Sequence, residues 1–560
     1  MMKNKIKYIA IALFLSQSLF SWAQEEINHN VVVIKSYSPV IGDANKLSEQ
    51  PNILDSVEPK PNFKYSILSS PFFTQYSPKS IKAVKMVGEP LKKLYQNYAL
   101  IGFGNYAKPM FEYRYASQRS KTLLTGINLS HLSQHGNLKL EGLDEKVYSG
   151  YSHNKANIFL HRIFKKSALE TDLTYNRHAL HYYGRNAFTD TTIQKEDSKQ
   201  YFSWMNATMR YKTTRLDSSH INYNVFLDYN YFEDYHNTFL NDINVGGVLG
   251  LFLDKELIGL DFSIHHYNHL TPEVLYSNTI SHFHPRISKS NEHWGIEAGL
   301  SFDVDANNDS TLFHYYPRIK LYYNVIDYFL VPYLGISGGK ESNNYRKIAL
   351  ENPFVKPGLI VKNTNSLIVL YGGIRGNFTE NLSYNIKGTY SIIDDAYFYT
   401  NDSTNRSENQ FIVEYDDIER YDIDAELNWK KSKKLNFMLL GKYHGFKMNR
   451  LEYAWHVPDY EFIFSTNYNL KSKIIVNFDM FVKGQRYTKT YYFASATASN
   501  TYMVEKIPET FDLSLGIEYR YTKKLSAFLR MNNLLARKNY LWNYYPTEGF
   551  NAMLGVIYSF

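Results

Sequence analysis

Cysteine is absent from the 560-residue chain. That excludes a disulfide framework, a thiolate metal site and a cysteine-borne lipid anchor. Long apolar runs are missing too. A membrane helix needs ~20 consecutive apolar residues, and none occurs beyond the first 23 residues. Proline is thin over most of the chain: seven of the 17 prolines (Pro39, Pro51, Pro59, Pro61, Pro71, Pro78, Pro90) fall between residues 24 and 95. No GxxxxGK[ST], no HExxH and no GxGxxG between a strand and a helix appears, so nucleotide binding and that zinc chemistry have no motif to stand on.

What is present is tyrosine. Fifty Tyr raise the aromatic share to 16%, while mean hydropathy is −0.40. A chain that is polar on average, rich in Tyr and built of short alternating runs has the composition of a membrane β-barrel, which alternates apolar and polar residues and carries aromatic girdles. A soluble sandwich array or propeller is the competing all-β reading. The formal charge is +8, and removal of Lys3, Lys5 and Lys7 with the leader lowers it to about +5. That is mild for the length and gives no reason to expect nucleic acid as a partner.

The C-terminus carries the strongest pattern. Phe511, Leu513, Leu515, Ile517, Tyr519 and Tyr521 alternate with Asp512, Ser514, Gly516, Glu518 and Arg520. Leu525, Ala527, Leu529 and Met531 repeat the pattern after a lysine-rich turn, and Phe550, Ala552, Leu554, Val556, Tyr558 and Phe560 share one face of the last run. A strict period of two means strands apolar on one side and wet on the other. A terminal amphipathic strand ending on Tyr558 and Phe560 is the pattern that directs a bacterial outer-membrane barrel to its assembly machinery.

At the other end, Lys3, Lys5 and Lys7 precede an apolar run from Tyr8 to Phe20 and a small-x-small site at Ser21-Trp22-Ala23. Residues 1–23 therefore read as a secretory signal peptide. Residues 24–95 are proline-rich and alternate poorly, so they read as a periplasmic or lumenal extension and not as wall. From about 96 to 560 the alternation is sustained. Ten short turns recur, at Gln118–Lys121, Phe164–Ser167, Thr214–Ser218, Leu253–Glu256, Ser288–Asn291, Asn324–Asp327, Phe378–Asn381, Lys430–Lys434, Leu470–Lys473 and Thr522–Lys524. Longer connections alternate with most of them, at about 134–146, 185–197, 233–242, 339–365, 394–410, 448–457, 487–509 and 535–548. Short periplasmic turns and long outer loops are the habit of such barrels. Ten turns joining strands 2 to 3 through 20 to 21 predict an all-β, transmembrane antiparallel barrel of about 22 strands, within a range of 20 to 24, with 411–429 readable as one long strand or two short ones.

The strand count and the C-terminal run Asn532-Asn533-Leu534-Leu535, Tyr540, Pro546, Gly549, Phe550, Gly555, Tyr558 and Phe560 resemble TonB-dependent outer-membrane receptors. The resemblance is best over 511–560 and is architectural from about 96 onward. It implies solute uptake, a plug domain inside the barrel and contact with the energy-transducing protein TonB. The chain departs from the family in one respect: about 72 residues separate Gln24 from the first strand, too few for the family's plug, which is therefore lost or much reduced. Val31, Val32, Val33 and Ile34 resemble the short hydrophobic stretch with which the family meets TonB; a stray strand tucked against the barrel is the other reading.

Side-chain chemistry is sparse. His265 and His269 on one strand share the expected lumenal face with His282 and His284 on the next. Neutral imidazoles on adjacent strands suit Zn, Cu or Ni, but wet lumenal lining is the plainer reading, and no metal or cofactor is assigned. Asp234 and His236 make an Asp/His pair at the rim with no flanking motif, so no enzymatic activity is expected. The loop Gly339–Asn365, with Lys340, Arg346, Lys347, Lys356 and Lys362, reads as solvated or as touching anionic lipopolysaccharide. Tyr540, Leu541, Trp542, Tyr544 and Tyr545 read as interfacial girdle or as sugar-stacking aromatics. The sequence thus predicts a barrel in the cell outer membrane, in contact with lipid and lipopolysaccharide, that passes a solute. The alternative is a non-transporting barrel subunit of an assembly, secretion or surface-display complex, plugged by a periplasmic or surface partner.

Overall fold

Alternation becomes wall because each strand buries one face in the lumen side and offers the other outward. In the computed structural model, which describes residues 94–118, 120–140, 146–186, 195–215, 218–405, 407–491 and 502–560, twenty-two antiparallel strands form one closed sheet. They are β1 (Asn97–Gly104), β2 (Lys108–Ala116), β3 (Leu123–Gln134), β4 (Tyr151–Ile163), β5 (Ser167–His181), β6 (Lys199–Thr213), β7 (Asn222–Asp234) and β8 (Phe239–Leu253). Next come β9 (Glu256–Leu270), β10 (Leu275–Ser290), β11 (Trp294–Asn307), β12 (Thr311–Tyr323), β13 (Val331–Glu341), β14 (Thr364–Thr379) and β15 (Leu382–Asn401). The set ends with β16 (Phe411–Ser432), β17 (Leu435–Met448), β18 (Tyr460–Leu470), β19 (Ile474–Lys483), β20 (Thr510–Arg520), β21 (Leu525–Asn532) and β22 (Asn551–Ser559).

The barrel closes by pairing β1 with β22, in register from Tyr98↔Ser559 to Gly104↔Met553. Phe560 completes the seam: its N–H and carbonyl both bond to Asn97, at 3.0 Å each. Its ring stacks on Tyr558 at 5.3 Å. This pairing leaves neither the first nor the last strand of the sheet with a bare outer edge. Outward positions are apolar and bare, as with Ile101 (65% exposed), Phe103 (62%) and Leu554 (66%), while inward neighbours such as Leu100 (0%) and Met553 (6%) are covered.

All ten short turns expected from the sequence join the strand pairs assigned to them, and residues 411–432 form one strand of 22 residues. The opposite end differs in one respect. Four of its connections, 105–107, 235–238, 271–274 and 308–310, are as short as the turns, and the second of these was expected to be a longer one over 233–242. The first was illegible because it uses positive φ at Tyr106 (60°) and Ala107 (47°), not the Gly or Asn that normally marks such a turn. The two ends of the barrel are called below the short-turn end and the long-loop end.

Candidate functional site

The long-loop end is roofed by its own loops. The connection between β13 and β14 was expected to be a solvated basic loop; it is instead the buried centre of the roof. Asn343 ties its neck, donating its backbone N–H to Asn363 Oδ1 at 3.0 Å and its amide to Lys362 O at 3.0 Å. Asn344 then caps a short helix, Tyr345–Glu351, by accepting the Lys347 N–H. Tyr345, Ile348 and Ala349 stand at i, i+3 and i+4, so they share one face. All three are fully buried. The lysines that suggested solvation are neutralised locally: Lys340 by Asp305, Lys347 by Glu341, Lys356 by Asp402 and Lys362 by Asp395.

Wall residues grip this helix. The Tyr345 hydroxyl donates to Asp234 Oδ2 at 2.7 Å, and its ring stacks on His269 (5.4 Å) and meets Phe232 edge-on (5.8 Å). Asp234 also accepts the His236 and Thr238 N–H groups at 2.9 Å each, so the Asp/His pair noted in the sequence is a loop brace. Arg346 donates to Asn230 (2.9 Å) and to Asp242 (3.0 Å), and Tyr267 donates to Asn343 O (2.9 Å). Burial beside the Asp234 carboxylate holds the Tyr345 hydroxyl well above its usual range.

Other loops interlock with it. Phe354 stacks on Tyr545 at 3.6 Å, Tyr182 donates to Val355 O at 3.0 Å, and Val355 bridges Phe411. Tyr545 and Trp542 thus belong to the roof, not to an interfacial girdle. Arg486, 2% exposed, donates to the carbonyls of Leu541 (2.5 Å) and Tyr540, and burial lowers its pKa to about 10. Glu408 is fully buried between Asn186, which donates at 2.8 Å, and the Tyr491 N–H at 3.3 Å. Loss of water pushes its carboxyl up to about 7. His456, bonded through Nδ1 to Tyr399 O at 2.8 Å, is pushed down to about 3 by burial. Glu408, His456 and Tyr544 all adopt positive φ (49°, 60° and 64°). Such backbones cost ~1–3 kcal/mol each and persist only where the surroundings impose them.

One wall carboxylate anchors the start of the loop after β17. Asp416 accepts the N–H groups of Asn449 (3.0 Å), Arg450 (2.9 Å) and Leu451 (2.9 Å). Asp416→Ala leaves three donors unpaired, at a cost of about 2 kcal/mol or more. Limited proteolysis is expected to cut after Arg450 in the variant well before it cuts the wild type; equal rates would remove this role.

Beside the roof lies an open crevice of about 670 Å³, whose lining includes Lys108, Tyr151, His153, His178, Phe354 and Glu548. Lys108 pairs with Glu548 at 2.8 Å, and the His153 and His178 rings stack at 3.9 Å.

The four histidines singled out in the sequence lie on β9 and β10, on the expected face, but each has its own companion. His265 meets Asp242 (2.7 Å), His282 meets Asp303 (3.0 Å), His284 meets Asp261 (3.3 Å) and His269 stacks on Tyr345. Among the described residues no group of three or more His, Asp or Glu side chains is arranged to hold a metal ion. Val31–Ile34 lies outside the described residues. Sequence reasoning missed the roof. Its available signal was Asn344 followed by Tyr345, Ile348 and Ala349, a capped apolar helix face inside a loop of basic residues.

No protein-family model and no curated protein sequence matches the chain. Solved structures do match. The chain is similar to the siderophore receptor PirA from Acinetobacter baumannii, with a TM-score of 0.65 at 8% identity over 84% of this chain and 81% of that one. The FrpB iron transporter from Neisseria meningitidis gives 0.64 at 10% over 84% and 82%. The ferric enterobactin receptor PfeA from Pseudomonas aeruginosa gives 0.60 at 12% over 84% and 81%. At these identities the likeness carries the fold, and the fold is that of the TonB-dependent siderophore-receptor barrels that the C-terminal sequence resembles.

Proposed function

We propose that this chain is an outer-membrane uptake barrel whose long-loop end faces outward and whose roof is the gate. The observation that carries the reading is the roof's packed core: Tyr345, Ile348, Phe354, Phe411 and Tyr545 come from two loops and the end of a strand and fill the mouth with side chains in place of solvent. A solute passes only when these loops separate. The outward apolar faces of the strands support placement in a bilayer, and the receptor and transporter likeness supports uptake over enzymatic work. Residues 24–95 belong to the same proposal as a minimal plug or periplasmic arm, with Val31–Ile34 as its TonB contact.

Planar-bilayer recording tests the gate. The full-length protein is expected to be nearly silent. Replacing residues 343–362 by a short Gly-Ser turn is expected to open steps of large conductance, because a 22-stranded wall encloses a wide lumen. A parallel variant that also lacks 24–95 separates the roof from the arm. Full-size conductance in the intact protein would overturn the gate.

A further inference from the structure

The wall is split on one side. β11 and β12 pair along their whole length, from Trp294↔Tyr323 to Ala306↔Thr311. β12 and β13 pair only over Ile319–Tyr322 and Tyr333–Ile336. Among the described residues, the β13-side edge of Thr311–Arg318 has no ladder partner.

The split is built in. β13 carries Gly338-Gly339 at a bulge, which lets a strand bend sharply. A Cβ on Gly338 would lie 2.6 Å from the Tyr316 ring and 2.9 Å from Ser366 O, so only glycine permits the bend to pass so close. Beyond it, side chains of β11 reach past β12 to hold β13. The Lys340 N–H donates to Asp303 Oδ2 at 2.9 Å, and the Lys340 ammonium lies 3.4 Å from Asp305. Tyr316 of β12 in turn reaches past β13 to Asn365 of β14, at 2.6 Å. Asp303, Asp305 and Lys340 are all at least 91% buried, so this latch is part of the packed interior.

One residue of the bare edge cannot donate to an added strand. The Asn324 N–H bonds to His293 O beside β11, whereas the Val325 N–H and the Ile319 carbonyl point to the β13 side. Odd residues of β12 therefore present their backbone to the split. Pro317 is one of them, and it has no N–H to give an added strand. The outer lip is apolar and unusually bare, with Phe313 77% and Tyr315 67% exposed. On the lumenal side Arg318 is exposed. Its hydrogen-bond contact is His284 at 3.4 Å, and among the described residues no carboxylate pairs with it.

Resting on the outer-membrane reading above, we infer that this split is a lateral passage between lumen and bilayer for an amphiphile with an acyl chain and an anionic head. The roof blocks the axial route, and the split supplies another. The acyl chain lies against the apolar Phe313–Tyr315 lip, and the anionic head meets Arg318.

Photolabelling in vesicles tests this on the full-length protein. The probes are phosphatidylglycerol and phosphatidylcholine, each with a diazirine in the acyl chain, and adducts are mapped by mass spectrometry. Outward belt residues such as Ile158 and Leu554 are expected to label with both probes. Lumen-side residues at the split, Tyr316 and Gly338, are expected to label several-fold more with phosphatidylglycerol, and Asn477 and Asp479 on the intact wall to stay unlabelled. Arg318→Gln is expected to equalise the two probes at the split without changing the belt. A labelled belt with Tyr316 and Gly338 unlabelled would overturn the passage, and equal labelling by both probes in the unaltered protein would overturn the anionic head. An unlabelled belt would instead remove the membrane reading beneath the proposal.

Discussion

Gly555→Leu is expected to yield no folded barrel. Gly102 and Gly555 face each other across the closing seam between β1 and β22. A Cβ on Gly555 would lie 2.4 Å from Ile101 O and 2.5 Å from the Phe528 ring. The ring has somewhere to swing. The carbonyl does not, because it belongs to the strand that must pair to close the wall. Phe528, 4% exposed, lies over both glycines and packs with Leu100 and Met553, an aromatic covering a glycine pair that has no side chains of its own. Phe528→Ala alone should cost ~3–5 kcal/mol, as for other buried Phe truncations, yet still close. Combining it with Gly555→Leu should not restore closure, since the backbone contact remains. The check is electrophoretic mobility in detergent before and after heating, where a closed barrel shifts and an unclosed one does not. Gly441→Leu is the control: nothing lies within 4 Å of its would-be Cβ, and it should shift like the wild type. A heat shift in Gly555→Leu would refute the seam argument.

The wall was legible and the roof was not, for one physical reason. A barrel strand separates lipid from water, so Phe511 to Tyr521 must alternate, and the turn at Lys523-Lys524 must be polar. Those constraints act residue by residue and leave a local trace. The roof is constrained only by what meets across the mouth. Tyr345, Phe411 and Tyr545 come from two loops and the end of a strand, far apart in the chain, and each looks like an ordinary aromatic in its own segment. The basic residues of 339–365 then pointed the wrong way, because their neutralising partners Asp305, Asp395 and Asp402 lie in other segments. The histidines show the same limit: alternation placed His265, His269, His282 and His284 on the correct face, while the partner of each comes from a neighbouring strand or the roof. The split between β12 and β13 left one trace, Pro317 within an otherwise good strand, which in hindsight marks an edge.

The roof should respond to pH in two opposing ways that substitution can separate. Glu408 has its carboxyl pushed up to about 7 in the closed roof, from an ordinary value of 4.5. The closed state therefore holds a proton that the open state releases. Acidification from about 7 to 4.5 favours closure through Glu408, and above 7 the buried charge costs at most ~3 kcal/mol. His456 acts in the other sense. Its pKa falls from 6.5 to about 3 on burial, so below 6.5 the open state gains a proton that the closed state refuses. Acidification from 6.5 towards 3 favours opening through His456. Between 6.5 and 4.5 the two oppose each other, and the intact protein should show only a shallow dependence there. Glu408→Gln keeps an acceptor for Asn186 and removes the charge. The Tyr491 N–H loses its acceptor, which offsets the relief of charge above pH 7, and the roof should loosen steadily as pH falls below 6.5. His456→Asn keeps a donor near Tyr399 O and removes the titration; its roof should tighten on acidification through about 7. Amide exchange of peptides from 402–410 and 449–459, corrected for intrinsic pH dependence, reads both slopes. Opposite slopes in the two variants support two buried groups of opposite sign holding one gate; parallel slopes would mean that neither group senses the opening of the roof.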